Sequence, residues 1–178
     1  MAPSLVWIDC EMTGLAATDK LIEIAVIITD DELNIVAEGP NLIIHQPKDT
    51  MDKMNEWCTE HHGASGLTAA VLASKVTTED ACAQVLEFIK KYIPKSRHGI
   101  LAGNSVHADK EFLEREMKPI IDHLHYRIVD VSTVKELARR WYPEEFKHVP
   151  PKKMAHRALD DIKESIKELQ YYRSAVFK

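Results

Sequence analysis

Acidic residues recur in three short clusters whose spacing would let them share cations. Asp9-Cys10-Glu11 lies near the start of the chain, Asn104-Ser105-Val106-His107-Ala108-Asp109 in the middle, and His156-Arg157-Ala158-Leu159-Asp160-Asp161 near the end. A fourth cluster, Tyr126-Arg127-Ile128-Val129-Asp130, stands between the last two. Carboxylates drawn from such distant segments repel one another unless cations hold them together. Hard divalent cations such as magnesium favour that all-oxygen set. Two such ions with a histidine beside them are equipped for phosphodiester hydrolysis.

Regular elements must position these side chains. Leu5 to Glu11 reads as an apolar strand, followed by a turn at Thr13-Gly14. Residues two apart in a strand face the same side, so Asp9 and Glu11 project together while Cys10 points away. Two carboxylates on one face of an apolar strand are costly to desolvate without a cation, although a lone Asp-X-Glu also fits a strand end with solvated acids. Asp109 lies near a helix start, where the macrodipole alone favours an acid. His156, just before the last helix, and Asp161, in its first turns, can converge on one cleft; Asp160 would project about 100° away from Asp161.

The remaining elements follow from periodicity. Leu21 to Thr29 is a second strand, Asp30 to Asn34 a polar turn, and Ile35-Val36-Ala37 with Leu42-Ile43-Ile44 an extended segment interrupted by Gly39-Pro40; together they suggest an antiparallel meander. Met51 to about His61 is helical by composition and ends before Gly63. Thr77 or Thr78 caps a helix with an apolar stripe at Ala81, Val85, Leu86, Ile89 and Ile93, broken by Pro94. Ile100-Leu101-Ala102 is a short strand leading to Asn104-Ser105, either of which can cap a helix through Met117. Arg127-Ile128-Val129 is another, and Ser132 or Thr133 opens a helix ending near Trp141. Residues 147–153 read as loop, and the last helix carries Leu159, Ile162, Ile166, Leu169 and Val176. Strands first, then alternating helices and strands, predict an α/β domain with a mixed sheet covered by helices.

Composition narrows the class. At 178 residues, 45% hydrophobic and 29% charged, the chain fits one globular domain spanning residues 1–178. A net charge of −5 disfavours a protein that grips long nucleic acid through many phosphate contacts, and leaves short oligonucleotides open. No run approaches the ~20 apolar residues of a membrane helix, and no secretory signal is read ahead of the first strand. Cys10, Cys58 and Cys82 are few, odd in number and widely spaced, which points to a reducing interior, cytoplasm or mitochondrion.

In this order, Asp9 with Glu11, Asp109, and His156 with Asp161 resemble the three motifs of the DEDDh branch of 3′→5′ exonucleases, proteins of the ribonuclease H-like fold. The stretches Trp7 to Leu15, Leu101 to Ser105, His123 to Thr133, Arg140 to Pro143 and His156 to Ser165 are similar to the oligoribonuclease family within that branch. The resemblance implies a mixed five-stranded sheet flanked by α-helices. It also implies two divalent ions, magnesium or manganese, held by Asp9, Glu11, Asp109 and Asp161, with His156 taking a proton from the attacking water. The substrates would be short RNAs, especially dinucleotides, and the products nucleoside 5′-monophosphates. Leu15 and Trp57 match residues that wedge against bases, a role suited to an aromatic face, which stacks on any base. Ser105, Arg127, Ser132 and Thr133 match a cap over the 5′-phosphate, where arginine can bind bidentately. Tyr126 matches a tyrosine contributed across a homodimer interface to the partner's site, and His62 falls near the substrate beside Trp57.

Without the resemblance, Trp57 reads as a helix-surface aromatic packed into the core, and Ser132 and Thr133 as helix caps. His61-His62, and His123 with His125, lack the three or four spaced ligands of a zinc site, and the adjacent histidines read as a solvated pair. His107 reads as a packing or helix-start residue, and Lys152-Lys153 as a solvated loop that could act as a flap ahead of His156. Competing functions are a DEDDh exonuclease for longer DNA or RNA, and a non-catalytic nucleic-acid-binding scaffold, whose sign would be a missing carboxylate. Neither a membrane nor an obligate protein partner is expected.

Overall fold

The computed structural model describes residues 4–153 and 156–177, so the N-terminal residues that bear on a leader lie outside the described residues. The chain opens with an antiparallel meander of β1 (Leu5–Met12), β2 (Leu21–Thr29) and β3 (Ile35–Ile43). Helices α1 (Lys48–Met51), α2 (Glu56–Ala64), α3 (Leu67–Ala73) and α4 (Thr78–Tyr92) follow. Strand β4 (Ile100–Gly103) leads into α5 (Val106–Glu116) and α6 (Lys118–His123), and β5 (Ile128–Asp130) into α7 (Val131–Trp141) and α8 (Pro143–Phe146); α9 (Ala158–Ala175) comes last. The strands form one mixed sheet in the order β3-β2-β1-β4-β5, with β4 parallel to β1 and to β5. The expected five-stranded mixed sheet flanked by helices is therefore the observed fold.

Period-two alternation divides the apolar residues between two faces. Val6, Ile8 and Cys10 of β1, with Ile24, Val26 and Ile28 of β2, pack against α4, α5 and α6. Trp7, Ala25 and Ile27 face the other way, against Ile162, Ile166, Leu169 and Tyr172 of α9. Every residue of β2 is buried, as a central strand covered on both faces requires. Fully burying each large side chain contributes about 1.5–3 kcal/mol. The indole N–H of Trp7 is satisfied by Thr29 Oγ1 at 3.0 Å. Among the described residues, no helix is long and apolar enough to cross a membrane.

Several boundaries differ from expectation for local reasons. The single helix expected from Met51 to His61 is two helices, because Asn55 accepts a hydrogen bond from the Cys58 N–H and caps a fresh start. Helix α2 then runs through Gly63, and α3 begins after Gly66, whose φ of +78° reverses the chain. Thr77, one of the two expected caps, closes a reciprocal box with Asp80. Strand β3 passes through Gly39-Pro40 instead of stopping there. Ala25 pairs with Asn41 and Ile27 with Glu38, so two residues of β3 oppose one of β2 in a bulge on an edge strand, where proline is tolerated.

The bulge also brings Gly39 against the α4 layer. A Cβ there would lie 2.5 Å from Phe88 Cε1 and 2.6 Å from Val26 Cγ1. Gly39→Ala is expected to lower unfolding stability by about 1–3 kcal/mol, the usual range for overpacking, read as a shifted urea midpoint with unchanged slope. An unshifted midpoint would show that the α4 layer yields freely at this point.

Candidate active site

The alternation that buries Trp7 beneath α9 continues along β1 and brings Asp9 and Glu11 to the same face. Asp161, in the first turn of α9, meets them there: one oxygen from each of Asp9, Glu11 and Asp161 lies within 4.8 Å of the others. Asp160, one residue earlier, is exposed. Asp109 projects from the first turn of α5 and is 5% exposed. Its Oδ1 accepts the Cys10 N–H at 2.9 Å, which sets it against β1 but outside the three-carboxylate group.

Burial and mutual repulsion dominate the electrostatics. Burial, then Asp109, Glu11, Asp161 and Glu23, hold the Asp9 carboxyl well above the usual range. Glu11 is pushed up to about 9 by burial, then by Asp161, Glu23 and Asp109, against an opposing pull from Arg157. Burial raises Asp109 to about 7, with the Cys10 N–H opposing. Asp161 rises to about 6 through burial and then Glu164, while Lys152 draws it down. An all-oxygen donor set desolvated in this way suits hard divalent cations, which restore the ionised form.

Two cavities flank the cluster. One, of about 360 Å³, is lined by Glu11, Met12, Leu15, Trp57, Cys58 and His62 among others. The second, of about 180 Å³, is lined by Asp9, Asn104, Lys152, His156, Asp161 and Ser165 among others. Leu15 is 77% exposed, on a loop latched by Asp19, which accepts from Thr13 Oγ1 at 2.7 Å and from the Ala16 N–H at 2.8 Å. Gly14 permits that latch, since a Cβ there would sit 2.5 Å from Asp19 Oδ2.

Trp57 is 51% exposed, not packed into the core; its ring stacks on His61 at 4.0 Å between centroids, and both rings meet His156 edge-on, at 5.3 and 5.4 Å. The adjacent histidines are not a solvated pair either. His62 is buried, its Nε2 donates to the Met12 carbonyl at 2.9 Å, and burial lowers its pKa. His123 is also buried, donating to the Ile93 carbonyl, while His125 stacks on Tyr126.

A second cluster forms where β4 and β5 end. The Ser105 N–H donates to Asp130 Oδ1 at 2.8 Å and reaches Ser132 Oγ at 3.1 Å. The Ser132 N–H and hydroxyl both donate to the same Asp130 oxygen. Ser105 holds a left-handed φ of 50° and makes no side-chain cap on α5, and Asp130, not Ser132 or Thr133, caps α7. Arg127, Thr133 and Tyr126 are exposed nearby in the chain. His107 is exposed at the start of α5, its Nδ1 3.6 Å from Asp130 Oδ2, so it is a helix-start residue and not a packing one.

Several contributors were not anticipated. Glu23 is fully buried, opposite Glu11 in the β1–β2 register, and pairs with Arg157 at 3.2 Å; a lone glutamate in an otherwise apolar strand was its visible sign. Buried Glu168 accepts from Asn104 Nδ2 at 3.1 Å and Tyr172 Oη at 2.9 Å, and pairs with Lys152. The Lys153 N–H donates to Glu164 Oε1 at 2.8 Å, so residues 152 and 153 are tied down and not a freely solvated loop.

Residues 6–169 match the RNase_T family model, described as an exonuclease. The chain is 58% identical over 179 residues to the mitochondrial oligoribonuclease of Mus musculus, spanning 100% of this chain and 75% of that one. It is 54% identical to a probable oligoribonuclease of Dictyostelium discoideum, over 98% of this chain and 90% of the relative. It is 53% identical to the oligoribonuclease of Vibrio cholerae, over 98% and 96%. Among solved structures, E. coli exonuclease I bound to a dT13 oligonucleotide superposes with a TM-score of 0.75 at 16% identity, covering 99% of this chain. This chain spans 42% of that exonuclease I chain, and the likeness concerns the fold.

Raised carboxylates make metal-free stability depend on pH in a definite direction. Acids whose folded pKa lies above the unfolded value favour folding while protonated, and that contribution disappears as pH rises through the folded values, here about 6, 7 and 9 for Asp161, Asp109 and Glu11. The melting temperature in chelator is therefore expected to fall between pH 5 and pH 9. Added manganese should restore it strongly at pH 8 and little at pH 5, because metal competes with protons for these groups. A manganese-induced shift that is the same at both pH values would contradict this assignment.

Proposed function

This chain belongs to the oligoribonuclease family of RNase_T exonucleases, and on that premise we propose that it is a 3′→5′ exoribonuclease that degrades short RNA, dinucleotides above all, to nucleoside 5′-monophosphates. The observation that carries this reading is the convergence of Asp9, Glu11 and Asp161 beside a cavity that His156 also lines. Two divalent cations, magnesium or manganese, held by Asp9, Glu11, Asp109 and Asp161, would neutralise the scissile phosphate and ease deprotonation of water. His156 accepts the proton of the attacking water on a ring nitrogen, a task suited to imidazole near neutral pH.

The substrate's bases lie against Leu15 and Trp57 in the larger cavity, with His62 in its wall. Ser105, Arg127, Ser132 and Thr133 receive the 5′-phosphate, and the Asp130 carboxylate already orients Ser105 and Ser132. Closing the site behind that phosphate limits substrate length, in keeping with a net charge of −5. Tyr126, 69% exposed, completes the site of a partner copy in a homodimer. The chain works as a single exonuclease domain in the cytoplasm or a mitochondrion, without an obligate protein partner.

A 5′-phosphorylated diribonucleotide incubated with magnesium should be converted to two mononucleotides far faster than a twenty-residue strand is shortened. Preference for the long strand would favour an exonuclease of broader range. Asp161→Asn should abolish turnover and Asp160→Asn leave most of it; the reverse result would reassign the ligand. His156→Ala is expected to lose about 100-fold in rate.

Mixing a Tyr126→Ala chain with an Asp161→Asn chain should recover activity that neither has alone. Dimers that form and stay inactive would place Tyr126 in its own subunit's site.

A further inference from the structure

Two buried carboxylates lie outside the candidate metal set, and each is engaged by a cation from the segment that carries His156. Glu23 is fully buried on β2, and its two oxygens accept from Arg157 Nε at 3.3 and 3.2 Å and from Nη2 at 3.3 Å. Glu168 is 2% exposed on α9 and pairs with Lys152. Between them, the Lys153 N–H is bound by Glu164. The chain is thus tied to the helix ahead of His156 and to the sheet immediately after it.

His156 itself has a φ of 50°, in the left-handed region. A non-glycine residue holds that conformation only where its surroundings over-determine it. Here the surroundings are the two ion pairs, together with the edge-on contacts of Trp57 and His61 against the imidazole. Neither pair resembles an exposed surface bridge. Removing one partner leaves a buried, uncompensated glutamate, which is strongly destabilising at that point. The same two cations also face the candidate ligands, Arg157 opposing the rise of Glu11 and Lys152 that of Asp161.

We propose that Glu23 with Arg157, and Glu168 with Lys152, are positioning pairs that hold the His156 ring at the carboxylate cluster and so act on proton transfer through His156. The proposal rests on His156 being the proton acceptor described above. Displacing a reacting group by about 1 Å is enough to lose on the order of 100-fold in rate, and release of either tie frees His156 to leave its left-handed conformation.

The test is a double-mutant cycle on magnesium-dependent hydrolysis of a 5′-phosphorylated dinucleotide. At saturating metal, Arg157→Met and Lys152→Met should each lower kcat by about 10- to 100-fold while leaving KM nearly unchanged, and Arg157→Lys should recover part of the loss. In a His156→Ala background, the same substitutions should be almost silent, because residues that act through one group are not additive. Losses that multiply in that background, or that appear in KM at saturating metal, would overturn the proposal. So would a full-rate Lys152→Met variant. If circular dichroism shows Arg157→Met unfolded, Glu23→Gln and Lys152→Met carry the cycle. A parent enzyme inactive on the dinucleotide would instead overturn the functional reading beneath it.

Discussion

Asp9, Glu11 and Asp161 present oxygens within 4.8 Å of one another, and Asp109 and Glu23 stand close enough to raise the pKa values of Asp9 and Glu11 further. The end of β1 therefore gathers like charge in a place where burial is the largest cause of each shift. Solvent does not screen such a group well, so the charge must be removed by protons or balanced by cations. Much of the surrounding architecture supplies one or the other. The Cys10 N–H steadies Asp109, Arg157 offsets Glu11 and Glu23, and Lys152 offsets Asp161 and Glu168.

The sheet makes this concentration of charge possible. Trp7, Ala25 and Ile27 form a dry floor under α9, and two residues farther along the same face of β1 the side chains become carboxylates. The opposite face, from Val6 to Cys10, is packed by α4, α5 and α6. With both sides of β1 held, Asp9 and Glu11 cannot turn away from Asp161 to relieve their repulsion. An active centre that binds paired cations requires this kind of preorganisation, because flexible acids would separate in the absence of metal.

The fold is shared with exonuclease I, a chain more than twice as long by the fraction this one spans. Around the carboxylates, local contacts fix several exposed side chains. Leu15 stands out on a loop latched by Asp19, Trp57 stacks on His61 at the rim of the larger cavity, and Ser105 and Ser132 are drawn together by one Asp130 oxygen. Each device fixes the loop or side chain that it touches.

Local order was largely legible from residue types. The limits of β2, a threonine cap on α4 at Thr77 or Thr78 and the projection of Asp9 and Glu11 from one strand face all follow from periodicity and capping chemistry, which act over a few residues. The order of the acidic and histidine clusters was equally plain, and residue types alone pointed to the family. Other features depended on neighbours remote in sequence. Trp57 on a helix surface is a core residue or a rim residue according to what packs beside it; His61 and His62 are solvated or enclosed for the same reason. Glu23 could be seen as a lone acid among isoleucines, but its partner is 134 residues away. Capping and alternation are short-range forces written into adjacent side chains, whereas burial and ion pairing arise only once distant segments exclude water between them, and that is why the tertiary structure alone decided those roles.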